Sequence, residues 1–114
     1  MALRLGNVTL DCADTKAVAS FWSAALDRPI DEEASEWFTT IGYGDESQPA
    51  WFFIKVPEGK AAKNRMHVDL RADDREVEVA RLVALGAQRH GDYDEYGHRW
   101  TTLLDVEGNE FCVG

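Results

Sequence analysis

Cysteine is scarce in this sequence. Its two cysteines, Cys12 and Cys112, stand near opposite ends, and neither falls in a CxxC or CxxxxH spacing. A disulfide framework and a cysteine-rich zinc motif are therefore excluded, and in a reducing compartment both residues read as free thiols. Positive charge is also short. Lys and Arg total 12 against 21 Asp and Glu, for a formal charge of -9. Such a surface repels phosphate backbones and anionic lipid, which argues against nucleic acid and membrane surfaces as partners. No stretch approaches the roughly 18 apolar residues of a membrane span, and the opening MALRLGNVTL lacks the basic start and apolar run of a secretory leader. A cytoplasmic protein is expected. Low-complexity segments are missing too, and a balance of 45% hydrophobic and 29% charged residues over 114 positions predicts one globular domain.

The most informative stretch present is NRMHVDLRADD, residues 64–74. In an extended strand side chains alternate between faces, so Met66, Val68 and Leu70 point one way while His67, Asp69 and Arg71 point the other. Sixty positions earlier the sequence reads GNVTLDCAD, which sets Asn7 at the place of His67, Val8 at Val68, Leu10 at Leu70 and Asp14 at Asp74. The chain is thus predicted to be two related halves, residues 1–58 and 63–114, joined by the short polar segment around Pro57-Glu58-Gly59.

Taken in order, residues 6–13 form a strand with Asn7, Thr9 and Asp11 on its polar face. Asp14 is a helix N-cap, and Val18, Phe21, Trp22 and Ala25 recur at helical spacing as a core face, up to Arg28-Pro29. Residues 35–41 and 50–56 are rich in aromatic and β-branched side chains and pair across a turn. In the second half, Asp73 and Glu76 have capping-box spacing, Val79, Leu82 and Val83 mark the helix, and Gly86 stops it. Residues 88–98 are polar and ambiguous as a strand, whereas 99–104 and 110–113 are strands around the turn Asp105 to Asn109. Each half reads strand, helix, then about three strands.

That doublet, with KNRMHVDLRADD in the middle and LLDVEGNEFCV at the end, resembles the vicinal oxygen chelate superfamily, in particular its small glyoxalase-like proteins. The resemblance spans essentially the whole chain. It implies an α+β fold of two βαβββ modules whose mostly antiparallel sheets curl into a split barrel around a cleft, usually in a homodimer. In metal-using members the cleft holds a divalent ion on His and Glu side chains. The matching positions here are Asn7, His67, Phe52 and Cys112, of which only His67 keeps its ligand type. Hard cations prefer oxygen donors, and zinc wants three or four protein ligands. The expectation is therefore no resident metal, with His67 as the one retained candidate ligand and Asp69 or Asp11 as possible carboxylate donors outside the family's pattern.

The inward polar row still offers chemistry. His67 and Asp69 suit general acid–base work, and Arg71 suits an anionic group or charge compensation; the same residues could also simply bond to one another. Cys112 is a nucleophile only if His67 lowers its pKa, and otherwise it is packing. Trp37, Trp51 and Trp100 lie on expected strands and, with Asn7, Thr9, Asp11, Arg71 and Cys112, are the candidate ligand contacts, although aromatics at such positions also build cores. Two function classes follow. The first is metal-independent binding or sequestration of a small, aromatic organic molecule. The second is a lyase- or isomerase-type enzyme with His67 as base or retained metal ligand.

Overall fold

The computed structural model describes residues 3–114. The chain forms two compact units, Met1–Gly59 and Lys60–Gly114. Their described residues carry two helices and seven strands in two mixed sheets, the α+β class expected, and no strand pairing among them closes either sheet into a barrel.

In the first unit, β1 (Asn7–Cys12) leads through α1 (Thr15–Leu26) to β2 (Phe38–Ile41) and β3 (Ala50–Lys55). The sheet order is β1-β3-β2, with β1 parallel and β2 antiparallel to β3. Asp14 caps α1 by accepting the Ala17 N–H at 3.0 Å. The helix then buries Val18, Ala19, Phe21, Trp22 and Ala25 against the sheet, from which Trp51 and Phe53 point inward. Trp22 stacks on Trp51 with ring centroids 4.6 Å apart and meets Phe21 edge-on at 5.3 Å. Arg28, just past the helix, sends one guanidinium nitrogen to the Pro49 carbonyl at 2.8 Å. Gly42 has φ +71, a backbone that favours glycine, and a side chain there would also have to push the Arg28 guanidinium aside.

The second unit runs β4 (Asp69–Leu70), α2 (Arg75–Ala84), β5 (Gln88–Glu95), β6 (His98–Leu104) and β7 (Glu110–Val113), in sheet order β4-β7-β6-β5. The internal repeat is written into the pairing. Thr9 faces Phe52 in the parallel pair of the first unit, and Asp69 faces Cys112 in that of the second, each residue sixty positions on from its counterpart.

Several expectations need correction. The first half has only two strands after its helix; the third is reduced to a single bridge between Ile30 and Ile41. The residues around Ile30 are Pro29 and the acidic run Asp31 to Glu33, which give a strand neither a full set of donors nor an apolar face. The strand expected around residue 67 is regular only over Asp69–Leu70, and Met66, expected to face a core, is 84% exposed. The N-cap of α2 is Asp74, accepting from Val77 N–H at 3.2 Å, not Asp73. Val83 lies outside the buried face formed by Val79 and Leu82. The ambiguous residues 88–95 are a full strand with a register shift at Arg89/Gly91.

Candidate functional site

The second unit's sheet floors an open cavity of about 830 Å³. Pairing explains which side chains reach it. Asp69 stands opposite Cys112 on β7, and Cys112 opposite Thr102 on β6, so the three form one row across the sheet. The Thr102 hydroxyl and Cys112 Sγ are 3.3 Å apart. One step before Val68, whose carbonyl accepts the Cys112 N–H, His67 directs Nε2 to Asp69 Oδ1 at 3.4 Å. A second row, one strand residue-pair further on, ends in Trp100 and Tyr93, whose rings stack at 5.3 Å and 18°. All three histidines of the chain, His67, His90 and His98, line this cavity.

Two groups in the cavity are electrostatically perturbed. Burial pushes the Cys112 thiol up and the Asp69 carboxylate adds to it, against weaker downward pulls from the Thr102 hydroxyl and Lys63. Cys112 is therefore a thiol near neutral pH, which argues against the nucleophile reading. Burial alone would raise Glu110, but the Asn64 N–H at 2.9 Å and the Lys60 ammonium at 2.9 Å outweigh it and hold this carboxyl at about 2. These contacts anchor the segment before His67 to the start of β7.

His67, Asp69, Arg71, Trp100 and Cys112 thus come together in one cavity. The other sequence candidates lie in the first unit. Asn7, Thr9 and Asp11 stand on the exposed face of β1, with Asn7 Nδ2 donating to Thr9 Oγ1 at 2.9 Å. Phe52 shares that face of the sheet and packs against Phe38 and Tyr43. Trp51 is placed in the helix-side core, because strand parity sets it beside Phe53 and opposite to Phe52. Trp37 precedes β2, is 61% exposed, and is covered by the Lys55 ammonium at 4.9 Å. Sequence reasoning missed Lys63, His90, Tyr93, His98, Arg99, Thr102 and Glu110 as cavity residues. Counting back and forward by two from Trp100 would have found His98 and Thr102.

The donor set bears on metal binding. Single ligand atoms of His67, Asp69 and Cys112 lie within 4.8 Å of one another. An imidazole, a carboxylate and a thiol suit a borderline ion such as Zn²⁺, and three is the minimum for a protein zinc site. They suit Mg²⁺ or Mn²⁺ poorly, since only Asp69 offers anionic oxygen. Asp69 therefore adds a third donor to the two that the family positions alone supply. A bound ion would have to displace the Cys112 proton.

A glyoxalase-like domain family model matches residues 7–114. No curated protein matches the chain. Among solved structures, it is similar to a glyoxalase/bleomycin resistance protein/dioxygenase family enzyme from Burkholderia phytofirmans, at 20% identity and TM-score 0.79, covering 97% of both chains. A fosfomycin resistance protein, FosX, from Listeria monocytogenes, solved with Mn(II) and a dihydroxypropylphosphonic acid, is 12% identical with TM-score 0.80, covering 99% of this chain and 90% of that one. The bleomycin-binding protein of Streptomyces verticillus, solved with copper(II)-bleomycin, is 19% identical with TM-score 0.67, covering 99% and 97%. At these identities the structures establish the shared fold.

Proposed function

The chain belongs to the glyoxalase-like domain family, and from that premise we propose that it binds a small, planar aromatic organic molecule in the cavity of its second unit without requiring a metal. The observation that carries this reading is the Tyr93–Trp100 stack, set in the same cavity as the polar row Asp69, Cys112 and Thr102. An aromatic wall beside a few fixed polar groups is the common form of a small-molecule site. The neutral state of Cys112 supports it, because a thiol packs against a ligand without the desolvation cost of a thiolate. The solved relative from Streptomyces that holds copper(II)-bleomycin shows that the fold can serve binding.

A screen of aromatic compounds by Trp fluorescence, followed by calorimetry on protein stripped with a chelator, tests the reading. Trp100→Ala should weaken any ligand found by about tenfold, through loss of the stacking surface. Unchanged affinity in Trp100→Ala would sink it.

The three-donor cluster favours a second reading, turnover with a divalent ion held by His67, Asp69 and Cys112. When bound, such an ion supplies Lewis-acid polarisation of a substrate oxygen. There His67 would serve as a ligand, which leaves its imidazole no free nitrogen; only in the metal-free form of this reading would the Nε2 contact with Asp69 orient the ring and leave the other nitrogen to take a proton from the substrate. This reading expects stoichiometric Zn²⁺ uptake by calorimetry that disappears in Cys112→Ser; the metal-independent reading expects ligand affinity that does not change when Zn²⁺ is added or removed.

A further inference from the structure

Resting on the small-molecule reading, we propose that the ligand is an aromatic acid, whose ring lies against Trp100 and whose carboxylate meets Arg71. The pairing supplies the geometry. Gly114 donates its N–H to the Leu70 carbonyl and accepts from the Ala72 N–H, each at 2.9 Å, which sets it directly opposite Arg71. On its other side the β6·β7 register, Thr101 to Val113, carries on to place Trp100 opposite Gly114. One row across the sheet therefore reads Arg71, Gly114, Trp100, Tyr93, and all four line the cavity.

The glycine is the gap in that row. A Cβ built on Gly114 lies 3.8 Å from Trp100 Cβ and 3.4 Å from the Arg99 carbonyl oxygen, so the position tolerates a side chain sterically, and its lack of one leaves bare backbone between a guanidinium and an indole. A flat ring can lie on that floor with its edge toward Arg71.

Charge selects an anion there. The protein carries a formal charge of -9, yet this cavity gathers Lys63, Arg71 and Arg99 with three histidines. Of its two carboxylates, Glu110 is engaged by Lys60, and Asp69 faces His67 and Cys112. Arg99 is tied to Asp94 at 3.3 Å. Arg71 has no ion pair or hydrogen bond from its side chain among the described residues, and neither has Lys63. A planar guanidinium without a partner matches a carboxylate through two parallel N–H donors. A neutral ligand would forgo that charge-assisted pairing.

Calorimetry with 2-naphthoate and its neutral counterpart 2-naphthamide tests the proposal. The naphthoate should bind at least about tenfold more tightly than the amide, and Arg71→Gln should abolish that preference. Arg71 is exposed, so the variant should fold normally, as equal melting temperatures would verify. Gly114→Leu, which fills the floor, should exclude both probes. Equal binding of the two probes, with both weakened by Trp100→Ala, would overturn the aromatic-acid assignment while leaving the small-molecule reading standing. A carboxylate preference that survives Arg71→Gln would overturn it as well.

Discussion

Replacing Trp22 by Ala should cost about 3–5 kcal/mol of stability, read as a lower denaturant midpoint with an unchanged slope. Trp22 is 1% exposed, stacks on Trp51 and meets Phe21 edge-on, so truncation removes the largest ring from α1 and leaves a void lined by aromatic faces. Domains of this size hold about 5–15 kcal/mol in total, so the variant should be close to unfolding at 37 °C. Trp22→Phe, which keeps a ring against Trp51, should lose less than half as much. A loss below about 1 kcal/mol for the alanine variant would mean that the α1–sheet packing described here is wrong.

The second large effect is expected at Asp105. Asp105 is 4% exposed, and its Oδ1 accepts the N–H of Glu107 and of Asn109, both at 2.9 Å, while the Asn109 side-chain amide donates to both oxygens at 3.0 and 3.1 Å. The carboxylate thereby closes the turn that delivers β7, and Gly108 supports it with a φ of +87. Asp105→Ala strands those half-buried donors and should cost about 2–3 kcal/mol. Asp105→Asn keeps one acceptor but turns an amide toward the Asn109 amide, so it should fall between the alanine variant and the native protein. Because Glu110 and Cys112 follow this turn directly, Asp105→Ala should also weaken ligand binding in the cavity. Stability within 0.5 kcal/mol of the native protein would contradict this account of the turn.

Much of the fold was legible because local signals agreed with one another. Asp14 before an apolar period of three to four residues gave α1 and its buried face, and the sixty-residue offset between Asn7 and His67 became equivalent pairing of Thr9 with Phe52 and Asp69 with Cys112. What the sequence hid was set by tertiary contact. Residues 88–95 are polar on both faces because β5 is an edge strand, one face of which is tied by Arg89 to Glu76 on α2 and by Asp92 to Thr101, so no alternation marks it. The strand around His67 looked long because its pattern alternates, yet its pairing starts only at Asp69 and runs no further than Arg71 opposite Gly114.

The candidate site was legible in part for the same reason. The row His67, Asp69, Arg71 follows from period-two alternation alone, and its partner Cys112 follows from the resemblance. The aromatic residues could not be sorted, because parity says that Trp51 and Phe52 face opposite ways without saying which way holds the helix. Asp69 as a third donor beside Cys112 depends on parallel β4–β7 pairing, which no local pattern announces.

The most direct test of the central claim is a two-dimensional amide NMR titration of metal-stripped protein with an aromatic ligand found by the fluorescence screen. Shifts concentrated at residues 67–71, 98–102 and 110–114, saturating together and lost in Trp100→Ala, are what a metal-independent binding cavity in the second unit predicts. Shifts centred instead on the first unit, or binding that appears only after Zn²⁺ is added back, would contradict it.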